Sequence, residues 1–177
     1  MNPSTQEILD FLDQHYIQHI RFSHPVVFTS EEKKQNDLNN GIVGATHCKN
    51  LLLCNRQGTL FYLLILPFEK NFRTAEISKQ LGVSRLSFST EEKLEKFLHT
   101  HAGAVSPLGL MYDQDFRIGL AMDQELKDKA LLCFHPNEES ITCIFNNDVF
   151  YNQLLPLLRH RPHFIKVEEI PMHHTEV

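Results

Sequence analysis

The chain lacks tryptophan and is sparing with glycine and cysteine, holding 7 and 4 in 177 residues. No two cysteines are spaced Cys-x-x-Cys. Cys48, Cys54, Cys133 and Cys143 lie mostly inside apolar runs, the pattern of buried, reduced thiols in a cytosolic protein and not of a disulfide framework. No Cys/His set has the spacing of structural zinc, so no metal is expected. No stretch approaches the ~18 apolar residues of a membrane helix. The longest, Leu60 to Pro67, has the length of a strand. The opening Met-Asn-Pro-Ser-Thr-Gln-Glu has no basic region ahead of an apolar core, which argues against a secretory signal and for a cytoplasmic location with no membrane partner. Positive charge is also short, with 17 Lys and Arg against 22 Asp and Glu and a net charge of −5. Such a chain is a poor coat for duplex nucleic acid, whose non-specific affinity comes from cations meeting phosphates. A local grip on a short single-stranded end remains open.

Catalytic signatures are equally scarce. No Gly-x-Ser-x-Gly elbow is present, nor any phosphate-cradling glycine motif, so no cofactor is expected. Cys48 stands beside His47, but neighbours on a strand point to opposite faces and make a poor nucleophile–base pair. His15 and His19 straddle a helix end without the glutamate of a zinc protease. His99, His101, His160 and His163 read as polar surface candidates.

What the chain does have is core material: 42% hydrophobic residues, including 13 Phe. The size suits one domain over 1–177. Ser4-x-x-Glu7, Thr29-x-x-Glu32 and Ser89-x-x-Glu92 are capping boxes. They predict a helix over about Thr5–His15, a short helix to about Asn36, and a helix burying Leu94, Phe97 and Leu98. Thr74–Leu81 followed by Gly82 reads as a helix with its usual stop. Strands are predicted near 17–23, 48–54, 59–66, 85–88, 116–122, 130–134, 141–145 and 163–170, with hairpins at Asn55–Gly58 and His135–Ser140. Asp37 to Gly44 reads as a loop. A helix capped at Asn147 or Asp148 runs to Leu158, interrupted near Pro156. Residues 171–177 are expected to be a flexible tail. The sum is an α+β domain, a curved mixed sheet approaching a barrel with helices packed outside.

One stretch concentrates the interest. Gly44-Ala45-Thr46-His47-Cys48-Lys49-Asn50-Leu51-Leu52-Leu53 passes from turn chemistry into a strand buried on both faces, with a cation at its mouth. Lys49 either snorkels from a strand end or holds a phosphate or developing oxyanion. Gly103-Ala104-Val105-Ser106-Pro107 is either a connector or a loop whose backbone N–H groups approach a carbonyl. Phe134-His135-Pro136-Asn137 is a hairpin turn whose histidine can face solvent or a pocket.

In this order, and with His24-Pro25-Val26-Val27-Phe28-Thr29 ahead of them, these pieces resemble the prolyl-tRNA editing family, the YbaK/ProX-type aminoacyl-tRNA deacylases. The similarity runs from about His15 to Ile170. It is greatest to the free-standing branch that removes alanine from proline tRNA. The resemblance implies metal-free hydrolysis of the ester at the 3′ aminoacylated end of proline tRNA, with Lys49 and Gly103 as catalytic groups. It places Asn50, Ser106, Pro107 and His135 in substrate binding, and makes prolyl-tRNA synthetase a candidate partner. Cys48 stands where a small polar residue such as threonine is expected. Competing readings are a cysteinyl-tRNA(Pro) deacylase of the same fold and a non-catalytic, synthetase-associated tRNA-binding module.

Overall fold

The sheet is organised around β2 (Ala45–Asn55), entered through Gly44 at φ +75°. In the computed structural model, which describes residues 1–170, β2 turns back into β3 (Phe61–Pro67) as an antiparallel hairpin, Lys49 opposite Leu66. Asn55 closes the turn, its side-chain carbonyl accepting the N–H groups of Thr59 and Leu60 at 2.9 and 3.1 Å. Beyond β3 come β5 (Ile118–Asp123) and β8 (Pro162–Ile165), both parallel to their neighbour. On its other edge β2 pairs first with β6 (Leu131–Phe134), in parallel, and at its far end with β4 (Leu86–Phe88), antiparallel. β6 continues into β7 (Ile141–Asn146), which carries β1 (Ile20–Ser23) at the edge. The result is one mixed sheet of eight strands with helices against it, the predicted α+β class.

Alternation explains why the central strands are so apolar. Leu52, Leu63, Ile65, Leu120 and Met122 face the main core, while Leu53, Leu64, Leu66 and Ala121 face a second one. Strands covered on both sides need apolar residues at every position. The helices α1 (Pro3–Gln14) and α4 (Glu91–Leu98) cover the first face with Ile8, Leu12, Leu94 and Leu98. The helix α3 (Thr74–Leu81) covers the second with Ile77 and ends on Gly82 at φ +67°, as predicted.

Two of the three expected capping boxes do not form. Asn2, not Ser4, caps α1, because Pro3 fits the first helical position and the Asn2 carbonyl takes the Thr5 N–H at 2.8 Å. Ser89 is drawn into the sheet, its N–H donating to Leu52 O at 2.9 Å, so α4 starts after Thr90 with no side-chain cap. The third box is reciprocal: Thr29 accepts the Glu32 N–H and Glu32 accepts the Thr29 N–H. It opens α2 (Ser30–Asn39), which takes in Asp37–Asn39 at the start of the segment expected to be a loop because Asp37 is buried against His47, while residues 40–44 are non-helical as expected. Near Pro156 the chain does not break. A short helix α5 (Asn147–Val149) passes through a π-turn at Phe150–Leu154 into α6 (Leu155–Leu158). The wider turn accommodates the ring and the missing N–H. The expected tail, residues 171–177, lies outside the described residues.

Candidate active site

The edge of β2 that faces β6 and β4 is interrupted. Its ladder to β6 ends at His47 opposite Cys133, and its ladder to β4 starts at Leu53 opposite Phe88. Lys49 and Asn50 sit in the gap, where two neighbouring strands part and leave a crevice. Lys49 and His135 each lie two residues beyond that last pair, so alternation puts both on the face shared by His47 and Cys133. The ammonium of Lys49 is fixed by donating to Lys70 O at 2.7 Å, and burial lowers its pKa. Asn50 donates to Cys48 O at 3.4 Å, leaving its side-chain carbonyl buried without a partner.

A turn and a loop close in from the other side. Asn137, buried at φ +57°, donates to Leu98 O and His99 O at 2.9 and 3.0 Å and so ties the His135–Ser140 turn to the end of α4. Gly103 follows that end at φ +93°, and the Glu139 carboxylate occupies the place a β-carbon would need. Among the described residues, the N–H groups of Gly103, Val105 and Ser106 have no protein acceptor. Ser106 is fully buried, its hydroxyl accepting the Leu108 N–H, and Pro107 begins the 3-10 turn Pro107–Tyr112. The structure thus brings Gly103, Ser106 and Pro107 alongside the histidine turn. Lys49 is directed to Lys70 instead and makes no bond to either.

His135 sits under α2 against His24, Lys33, Asp37, His47 and Thr142, in a crevice packed too tightly to admit a water molecule. Its Nδ1 lies 2.8 Å from Ile141 O, an arrangement that needs the proton on Nδ1 and leaves Nε2 as an acceptor. Burial lowers its pKa to about 4, with Lys33 adding to the effect, so the ring is neutral near pH 7. His47 donates through Nε2 to Asp37 at 2.8 Å, and burial outweighs that bond to leave its pKa lowered too. His24 is held by Thr142 Oγ1 at 2.8 Å. A wider cleft of about 220 Å³ opens beside this crevice, with Lys33 and His47 lining both.

Lys33, His47 and Asp37 belong to the site although no motif announces them. The only sequence signal was the alternation that puts His47 two residues before Lys49. Lys33 was legible merely as one of several surface cations. Cys48 is no nucleophile, since burial pushes its thiol far up. No cluster of three or more His, Cys, Asp or Glu among the described residues is arranged to hold a metal ion, and no helix there is long and apolar enough to cross a membrane.

The site is thus a break in a mixed sheet, with a neutral histidine beside it and a glycine loop against the turn that follows that histidine. The chain belongs to the aminoacyl-tRNA editing domain family, which matches residues 24–151. It is 29% identical over 143 residues to the prolyl-tRNA editing protein ProX of Acetoanaerobium sticklandii, covering 80% of this chain and 84% of that protein. It is 26% identical over 141 residues to the prolyl-tRNA synthetase associated domain-containing protein 1 of Xenopus laevis, covering 77% and 82%. A crystal structure of a proposed trans-editing enzyme for prolyl tRNA synthetase shares the fold, with a TM-score of 0.68 and 15% identity over 95% of this chain and 99% of that one.

Proposed function

We propose that the protein is a trans-editing deacylase that hydrolyses the aminoacyl ester of mischarged proline tRNA, with alanyl-tRNA(Pro) as its substrate. The observation that carries this reading is the Gly103 loop, whose unpaired N–H groups lie against the turn that follows His135. An aminoacyl ester is already activated, so water suffices once the carbonyl is held and its developing negative charge is met by fixed donors. The free N–H groups of the Gly103 loop supply such donors, with Ser106 and Pro107 holding the loop's shape. Lys49 stands on the ribose side of the ester, its ammonium already oriented by Lys70 O. The unpartnered Asn50 carbonyl accepts from a ribose hydroxyl. His135, neutral and accepting at Nε2, shapes the pocket and orients water. A histidine titrating near 4 is a weak base at pH 7, so a ribose hydroxyl of the substrate assists the water.

Size sets the specificity. A synthetase pocket built for proline cannot strongly reject alanine, whereas a small editing cavity bars prolyl by overlap. The same cavity distinguishes an added hydroxyl only by ~10²-fold, so seryl esters should be cleaved more slowly but measurably. The decisive experiment compares hydrolysis of alanyl-, cysteinyl-, seryl- and prolyl-tRNA(Pro). Alanyl should lead and prolyl should survive, and Lys49→Ala should lower the rate by about 10²–10³. Faster cleavage of the cysteinyl ester would move the assignment to its sister specificity. No turnover of any substrate would leave a non-catalytic tRNA-binding module. Co-purification with prolyl-tRNA synthetase tests whether that enzyme is a partner.

A further inference from the structure

Lys33, on the second turn of α2, lines both the tight crevice around His135 and the wider cleft. Its side chain is 9% exposed. Among the described residues its ammonium has neither a hydrogen-bond acceptor nor an ion-pair partner, and its one polar contact is with the face of Phe68, whose centroid is 4.8 Å away. Glu32, Asp37 and Glu139 act on it only at longer range. A lysine carries three donors and is almost never this buried without a partner. Two polar atoms beside it are buried and unpartnered, Nδ2 of Asn36 and Oδ1 of Asp37, both on α2, whereas the Lys33 ammonium itself reaches the solvent of the cleft. The cleft adds Lys34 and Lys129 at its rim, paired with Glu69 and Glu125 of the same lining at 3.9 and 3.0 Å, so Lys33 is the lysine of its lining without an ion-pair partner. An unpaired ammonium facing a cleft is free to donate to an anionic oxygen brought by a ligand.

We propose that Lys33 is the phosphate-binding group of this site, receiving a phosphodiester oxygen of a single-stranded nucleotide end laid in the cleft beside Phe68. The identity of that end, the 3′ terminus of tRNA, rests on the editing reading, whereas the anion site itself does not. The geometry divides the work between two lysines. Lys33 takes the charge of the backbone at the cleft, and Lys49 stays at the ribose side of the ester. Burial also lowers the pKa of Lys33 by more than the distant Glu139, Asp37 and Glu32 raise it.

The test is binding of three probes to the whole protein by calorimetry: the trinucleotide CpCpA, adenosine and inorganic phosphate. CpCpA should bind more tightly than adenosine. Lys33→Met, which keeps the apolar stem, should weaken CpCpA at least tenfold, leave adenosine unchanged, and reduce the salt dependence of log K by about 0.7, the share of one phosphate on a single strand. Lys33→Arg should restore most of the binding, and Lys79→Met, on α3 outside the cleft, should behave as wild type. CpCpA binding within twofold of wild type in Lys33→Met would overturn the proposal. So would an equal loss of adenosine binding, which would mean a collapsed pocket. Inorganic phosphate competing as well as CpCpA would overturn the nucleotide as carrier. Lys33-dependent CpCpA binding in a protein that hydrolyses no mischarged tRNA would sink the editing reading and keep this one. Active editing indifferent to Lys33→Met would do the reverse.

Discussion

Lys33 lines the cleft, Lys70 pairs with Glu125 of the cleft's lining, and the two lysines are in opposite electrostatic states. Lys70 donates to Asp123 and Glu125 at 2.7 Å each and to Val167 O at 3.1 Å, and its own carbonyl orients Lys49. Burial pulls the Lys70 pKa down, but the bonds to Asp123 and Glu125 outweigh it and hold the group above its ordinary value. Lys33 has no such partners; Asn36 Nδ2 and Asp37 Oδ1 beside it are unpaired, and His135 is held neutral. Buried polar groups are normally satisfied, so exceptions gathered in one place need an explanation, and a missing ligand is the simplest. The satisfied side is the scaffold that positions, and the unsatisfied side is the one that receives.

The largest effect is expected where the scaffold is broken. Lys70→Met strands Asp123, a carboxylate 1% exposed, and removing one partner of a buried pair costs about 3–5 kcal/mol. Urea unfolding should show this loss. A change below about 1 kcal/mol would mean that the pair behaves like a surface bridge and that the contrast with Lys33 is overdrawn.

The receiving side should announce itself through pH. The His135 pKa is about 4 in the fold and near 6.5 in an unfolded chain. Between these values the unfolded state binds more protons. The stabilisation is therefore complete above pH 6.5 and is lost as pH falls toward 4, by on the order of 2–3 kcal/mol. His47, also lowered by burial, acts in the same direction. The depressed carboxylates Glu32, Glu125 and Glu138 contribute only below the usual glutamate pKa, so the upper part of the window belongs to the imidazoles. His135→Gln should flatten that part of the stability curve. An unchanged slope would place the ring's titration elsewhere.

How much of this was legible beforehand follows from the range of each signal. Strands buried on both faces leave long apolar runs, and Gly82 after Thr74–Leu81 marks its helix end locally, so these could be read directly. The boxes at Ser4 and Ser89 misled because the hydroxyl's alternatives, the Asn2 cap and the Leu52 carbonyl, are invisible in a four-residue window. The site divided in the same way. Lys49, Asn50, Gly103 and His135 lie in recognisable motifs. Lys33 has the sequence surroundings of a solvated lysine, and only the packing of α2 over β2 buries it. Asn137 reads as a turn residue, and its bonds to Leu98 and His99 span too much chain for spacing to reveal.

The seating of α2 is therefore worth perturbing gently. Thr29→Ala removes half of the capping box and should cost about 1 kcal/mol. It should weaken CpCpA binding more than Thr90→Ala does, because Thr90 makes no side-chain cap bond. Equal effects would show that the start of α2 does not help to place Lys33.

The smallest effect has the opposite sign. Lys33→Met should leave stability unchanged or raise it by up to about 1 kcal/mol at pH 7, although it impairs binding. The reason lies in the free protein, where the charged form is penalised by burial, as the lowered pKa records. Methionine keeps much of the stem's packing and needs no hydration. Lys70→Met makes the same change of side chain a short distance away and should be severely destabilising. Paired denaturation curves would thus separate a cation held for the fold from one held for a ligand. A Lys33→Met protein less stable by more than about 1 kcal/mol would show that the Phe68 contact and distant carboxylates already satisfy this lysine, and the distinction between the two sides of the crevice would fail.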